Sequence, residues 1–280
     1  MDETQHTTAL TGPRSRWQQL FDRGGALRAL LVAAVYLGLF TAAGLLSGLL
    51  GGDHVEKDIF ATTASVFFGL TFPLLVGCAL LALLVTSLGW WRVLLGRSDV
   101  PGRRWMWVAP VVVVVPIVLR LLGIPYGDYP DGVIVLTFAT GLLIGFSEEL
   151  LSRGVVVHML RVRGAGERTV MIVSSLVFAL LHSVNLLSGQ KILIVLATMG
   201  FTFAFGVVMY LTLRVTGSLV WPILLHGLYD PTLFLATGGI DTVHTGDIDP
   251  LLALAAPFNI IFIVLALVAL VIVRRAPRRA

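Results

Sequence analysis

Seven ionisable side chains stand inside long apolar runs of this 280-residue chain: Arg120, Glu148, Glu149, Arg153, His182, His226 and Asp230. Inserting such a group into a membrane-length helix costs roughly 2.5–3.5 kcal/mol, so each calls for a reason. Their types suggest one. A carboxylate with imidazole neighbours can hold a water and take its proton. A second imidazole with a polar partner can donate hydrogen bonds to a developing oxyanion. Together these steps hydrolyse a peptide bond without a covalent intermediate. No GxSxG motif is present, and Ser147, Ser152 and Ser183 read as helix-packing or hydrogen-bonding residues.

Spacing distributes the roles. Glu149 and Arg153 are i,i+4 with the glutamate first, the favourable order for a helical ion pair. Glu148 is turned about 100° from Glu149 around a helix of 3.6 residues per turn, which leaves it free for chemistry while Glu149 neutralises Arg153. His226 and Asp230 are again i,i+4 and can face one cavity, as can Phe178 and His182. Glu148, His182, His226 and Asp230 are also ligand types for zinc, and two histidines, a glutamate and a water form a known catalytic set. The chain has no HExxH, and its ligands would come from three separate segments. Metal-free activation of water is the expectation, with zinc as the alternative. Arg120 is expected to snorkel to the interface, and His158, among arginines, to sit near it.

The elements that must position these groups are membrane helices. The chain is 57% hydrophobic and only 13% charged, with a mean hydropathy of +0.92. A soluble domain carries about twice that share of charge. Disorder is excluded for the bulk of the chain, and the single cysteine, Cys78, excludes a disulfide scaffold. The net charge of +4 does not point to nucleic acid, because the basic residues sit at the edges of apolar runs. Eight runs are long enough to cross a bilayer: 28–50, 62–88, 105–122, 132–157, 169–188, 191–213, 217–237 and 251–273. The third contains Pro110 and Pro116 and is expected to kink. The fold class is therefore all-α, a polytopic membrane protein of about eight helices in one bundle. Residues 1–27 form a flexible cytoplasmic tail, with Trp17, Leu20 and Phe21 near the membrane surface. The transmembrane domain spans 28–273, and 274–280 is a basic cytoplasmic tail.

Arginines alternate between connecting segments. Arg14, Arg16, Arg23 and Arg28 precede the first run; Arg92, Arg97, Arg103 and Arg104 come after the second. Arg161, Arg163 and Arg168 come after the fourth, Arg214 after the sixth, and Arg274, Arg275, Arg278 and Arg279 after the eighth. The intervening loops, among them GGDHVEKD and GIPYGDYPDG, are acidic or nearly uncharged. The positive-inside rule then puts both termini in the cytoplasm. Trp90, Trp91, Trp105 and Trp107 are placed as an interfacial belt. The candidate groups lie roughly 13–20 Å from the arginine-rich boundary at 1.5 Å per residue, consistent with one water-filled pocket open to the cytoplasm.

Three short motifs carry a resemblance. Glu148-Glu149-Leu150-Leu151-Ser152-Arg153, then Phe178-Ala179-Leu180-Leu181-His182, then His226-Gly227-Leu228-Tyr229-Asp230 occur in that order on three apolar segments within 132–237. In this the chain resembles the CAAX prenyl endopeptidase and bacteriocin-processing (CPBP or Abi) family of intramembrane proteases. The resemblance implies an eight-helix membrane endopeptidase acting on a peptide or membrane-protein substrate. It implies Glu148 as general base assisted by His182, His226 and Asp230 as oxyanion stabilisers, and Glu149, Arg153 and Phe178 as supports. Eighteen arginines against two lysines, with abundant Ala, Gly and Val, point to a GC-rich bacterial genome and so to a bacterial cell membrane. Asp230 departs from the asparagine of the prenyl-protease branch, since an ionised aspartate cannot donate a hydrogen bond. Buried Glu, His and Asp also mark ion pathways. An ion- or proton-coupled transporter is therefore the alternative reading, beside a scaffold that kept the fold without activity.

Overall fold

The computed structural model describes residues 14–98, 100–187, 189–240 and 249–273. Every regular element among them is helical: α1 (Arg16–Asp22), α2 (Ala26–His54), α3 (Thr63–Leu88), α4 (Trp91–Leu95), α5 (Arg104–Gly123), α6 (Val133–Val162), α7 (Glu167–Leu186), α8 (Ile192–Thr216), α9 (Val220–Thr237) and α10 (Pro250–Ile272). Seven of these, α2, α3, α5, α6, α7, α8 and α10, are long and apolar enough to cross a membrane. Their outward faces carry Leu49, Val135, Leu193 and Val271, all strongly exposed, as suits helices solvated by hydrocarbon. The protein is a helical-bundle membrane protein.

The eighth expected span differs. Helix α9 is 18 residues long, about 27 Å at the α-helical rise, so length does not separate it from the others. His226, Asp230, Pro222 and Pro231 lower its apolar content. It can carry them because it is wrapped by its neighbours, with Leu225, His226, Gly227, Tyr229, Pro231 and Thr232 all buried. A helix that meets protein rather than lipid has no need of a continuous apolar surface.

Contacts between loops sort the helix ends onto two faces. On one, the Gly25 amide donates to Met159 O (2.8 Å) and that of Ser98 to Gly217 O (2.8 Å). Arg161 Nη1 there reaches Ser98 Oγ (3.2 Å), and Arg214 Nη2 reaches Pro101 O (2.8 Å). The arginine-rich segments through Arg214 therefore share this face. Arg274, Arg275, Arg278 and Arg279 lie outside the described residues. On the opposite face the Tyr129 hydroxyl donates to Leu235 O (2.5 Å), and the Phe60 ring meets those of Tyr129 and Phe234. Burial, with Asp58 and Asp128 nearby, pushes the Tyr129 hydroxyl up to about 12, so it remains a donor at neutral pH.

Part of the expected flexible tail is ordered. Helix α1 starts with a capping box, Gln18 N to Ser15 Oγ (3.2 Å) and Ser15 N to Gln18 Oε1 (3.1 Å), which satisfies two amides that a helix start leaves without partners. Trp90 is buried rather than interfacial, its indole donating to Asp22 Oδ1 (3.3 Å) under α1. Helix α5 continues through Pro116. The core runs along α6, whose Leu150, Leu151, Val155, Val156 and Met159 are fully buried.

Candidate active site

Helices α6 and α9 touch backbone to backbone. A Cβ at Gly141 would lie 2.5 Å from Gly227 O, and one at Gly145 would collide with Ile223 O and the Gly227 backbone. Gly141 and Gly145 form a Gly-x-x-x-Gly stripe, the spacing that lets membrane helices approach closely. Pro231 assists. It has no N–H to offer the carbonyl four residues back, so Gly227 O is left facing Gly141. Close approach at Gly145 brings the neighbouring Glu148 and Glu149 within reach of His226.

The inner layer is tightly bonded. Glu149 Oε1 accepts from Arg153 Nη1 (2.9 Å) and lies 2.9 Å from His226 Nδ1. Arg153 Nη2 donates to Gly206 O (2.8 Å), and the Arg153 guanidinium stacks 4.4 Å above the Phe178 ring. Glu149, Arg153, Phe178 and His226 are all at most 2% exposed. Arg153 belongs to a π-helical stretch, Leu150–Val156, directly after the two glutamates. The wider turn shifts the register of the later part of α6, and the Ser152 hydroxyl donates to Glu148 O. Such π segments are concentrated at functional sites.

The outer layer faces open space. Glu148, Phe178, His182, His226 and Asp230 line a cavity of about 640 Å³. His226 Nε2 lies 3.9 Å from Glu148 Oε2 and 3.4 Å from Asp230 Oδ2. His182 sits where α7 passes from α-helix to 3-10 helix, its Nδ1 3.2 Å from Phe178 O. A carbonyl only accepts, so that contact puts the Nδ1 proton on His182 and leaves Nε2 as a lone pair. Glu149 Oε1 likewise engages Nδ1 of His226 and leaves its Nε2 turned toward the cavity. Glu148 Oε2 is buried without a hydrogen-bond partner among the described residues.

The cavity runs the other way from the expected one. Its lining includes Val184, Asn185, Leu187, Gln190 and Ile240, all at the arginine-poor ends of the helices. Among the described residues, none that lines it comes from an arginine-rich end. The expectation of a pocket open toward the arginine-rich face is therefore corrected. Depth along a helix is symmetric about its midpoint and says nothing of the side on which the bundle parts.

Arg120 is corrected as well. It is 3% exposed and points into the bundle, its Nη2 3.4 Å from the Tyr229 hydroxyl and its guanidinium 4.6 Å over the Tyr229 ring. Tyr229 passes the chain on to Asn259 Oδ1 (3.1 Å), which locks α9 against α5 and α10. An aromatic face with a hydroxyl acceptor inside the bundle replaces the headgroup region as partner for the cation. His158 is half-buried with its ring 4.6 Å from that of Trp90. Phe205, whose ring lies 5.1 Å from His226, and Tyr229 were not marked by motif spacing. The Gly141–Gly145 pair was the readable signal for the α6–α9 contact.

The donor types suit zinc, but their arrangement is another matter. Among the described residues, no group of three or more His, Cys, Asp or Glu side chains is arranged to hold a metal ion. Nδ1 of each histidine is already engaged.

An apolar helical bundle with an acid–imidazole cluster at mid-depth defines a class, the membrane-embedded proteins with a buried polar site. Residues 130–232 match the family model described as Rce1-like, type II CAAX prenyl endopeptidase Rce1-like. That segment belongs to this family, as the three motifs indicated, and it contains every candidate residue from Glu148 to Asp230. No curated protein and no solved structure matches the chain.

Proposed function

We propose that the protein is an intramembrane endopeptidase that hydrolyses a peptide bond of a peptide or membrane-protein substrate with a water activated by Glu148 and His182. The observation that carries this reading is the buried Glu148 Oε2, unpartnered among the described residues, on a cavity that two histidines also line. A buried polar atom without a partner costs about 1–3 kcal/mol, so a site that keeps one has a use for it.

The steps come from the atoms. Water in the cavity donates one proton to the Glu148 carboxylate and is steered by the lone pair on His182 Nε2. Its oxygen attacks the scissile carbonyl carbon, and the electron pair moves to the carbonyl oxygen. His226, pinned through Nδ1 by Glu149, turns Nε2 toward that oxyanion and, when protonated there, donates to it. Removing one such donor typically costs 10²–10³ in rate. Glu148 then returns its proton to the departing amine, and the C–N bond breaks. Asp230, 3.4 Å from His226 Nε2, orients the imidazole between turnovers. Arg153 holds Glu149 in place through their ion pair. The bilayer is that of a bacterial cell, and the arginine-rich face, with both termini, is cytoplasmic under the positive-inside rule.

The test is cleavage of membrane-protein and peptide substrates in vesicles, with proteomic comparison of membranes carrying the wild-type chain or Glu148→Gln. Loss of cleavage in both Glu148→Gln and His182→Ala, with chelators leaving the wild-type rate unchanged, is the expected result. Cleavage that survives both substitutions ends the reading. Flux driven by a pH gradient in the absence of any cleavage would favour a proton-coupled transporter.

A further inference from the structure

A second concavity lies away from the catalytic groups. Beneath α1, between α2 and α3, runs a groove of about 410 Å³ with almost wholly apolar walls. Helix α1 roofs it and is fastened there: Trp17 Nε1 donates to Ser87 Oγ (3.1 Å) and Gln18 Nε2 to Ser87 O (3.4 Å). The walls come from Leu31, Val35 and Leu39 of α2 and Leu80 and Leu84 of α3. Val35 is 62% exposed and Leu31 56%, so this face is unfilled by protein and lies within the span of two membrane helices.

Under the roof stands a cation. Arg28 lines the groove and is half-buried. Its only hydrogen bond among the described residues is Nη1 to Gly24 O (2.9 Å), leaving the rest of the guanidinium free. Residues 14–28 carry four arginines, Arg14, Arg16, Arg23 and Arg28, against one acid, Asp22, and Arg14 is the one paired with it. An apolar slot with a free guanidinium at its interfacial end matches a molecule that is hydrocarbon below and anionic above.

We infer that this groove binds one chain of an anionic phospholipid, with the phosphate held at Arg28. The volume suits a hydrocarbon chain rather than a polypeptide helix. The guanidinium fork suits a phosphate oxygen pair, and basic groups at a bilayer surface attract anionic lipid. Tyr36 lines the groove and also lines a small cavity with Glu148 and His182. A Cβ at Gly77 would lie 2.7 Å from the Tyr36 hydroxyl oxygen, so glycine leaves room for that hydroxyl. The lipid chain thus runs one side chain away from the candidate active site.

Native mass spectrometry of the full chain, released from nanodiscs of equal phosphatidylglycerol and phosphatidylcholine with the same acyl chains, tests the assignment. The wild type should retain phosphatidylglycerol over phosphatidylcholine by about fivefold or more, the preference expected of one arginine at a bilayer surface. Arg28→Gln should bring the ratio close to one. Val35→Trp, which fills the groove from an exposed position, should lower retention of both lipids about fivefold, and Leu84→Trp provides the same block from α3 should the first variant fold poorly. Arg104→Gln, an exposed arginine of the same face outside the groove, should leave the ratio as in the wild type. Equal retention of the two lipids by the wild type, an unchanged ratio in Arg28→Gln, or undiminished retention in both tryptophan variants would overturn it.

Discussion

The molecule holds two buried carboxylate clusters, and they are built to opposite rules. At the arginine-rich face, Glu167 is saturated. Its Oε1 accepts from Arg161 Nε (3.0 Å), and its Oε2 from Arg161 Nη2 (2.9 Å), Arg214 Nη1 (3.0 Å) and the Tyr210 hydroxyl. These partners tie α6, α7 and α8 to the segment before α5. At mid-membrane, Glu149 is bonded through one oxygen only, and Glu148 Oε2 has no hydrogen-bond partner among the described residues. Both clusters pair acids with arginine, so sequence alone would treat them alike. What separates them is whether the oxygen atoms are used up. A saturated carboxylate holds helices together. One left open toward a cavity has capacity to bind something that arrives.

That contrast can be broken by exchange of function against stability. The largest effect is expected at Glu148→Gln, a loss of about 10²–10⁴ in cleavage rate with the melting transition in detergent left in place. A variant that melts early would move Glu148 into the structural class. Glu167→Gln should do the reverse. It leaves the buried Arg214 and the half-buried Arg161 short of a counter-charge, a loss of about 3–5 kcal/mol, read as early melting, while the rate per folded molecule stays unchanged. Glu149→Gln stands between them, because Glu149 bonds both Arg153 and His226. It should lose stability on the scale of Glu167→Gln and also slow cleavage, which melting curves and rates from one preparation would show together. The smallest effect is expected at Gly145→Ala. Its methyl group must push α9 away from α6, at about 1–3 kcal/mol for overpacking, and the displaced His226 should lower the rate more than it raises the apparent substrate affinity constant. Equal rates in Gly145→Ala and wild type would show that the α6–α9 contact does not set the site geometry.

Much of the site is legible along the chain alone. The i,i+4 pairs Glu149–Arg153, His226–Asp230 and Phe178–His182 are local relations, fixed by helical pitch, and each pair meets in the structure. Membrane spans are legible because twenty apolar residues are hard to place anywhere else. Legibility fails where the answer depends on a partner from another helix. Arg120 looks like a snorkelling residue until Tyr229 is found beside it. Helix α9 looks like one more span until its burial shows why it can be more polar than the rest. The capping box of α1 is present in Ser15 and Gln18, but only the docking on Ser87 and Trp90 makes a fixed helix of a segment that reads as a flexible tail.

The sequence by itself determined that the chain lives in a bilayer, which loops share a face, and which polar residues had to be accounted for. Apolar length, arginine placement and helical spacing are one-dimensional quantities, and lipid enforces them strongly. The tertiary structure decided which carboxylate is saturated and which is open, where the bundle parts into a cavity, and on which side that cavity runs. These depend on how closely helices far apart in sequence approach, set by glycines such as Gly141 and Gly145 and a proline carbonyl gap at Gly227. Hydropathy is blind to those contacts, because in a membrane every helix is apolar and only packing tells them apart.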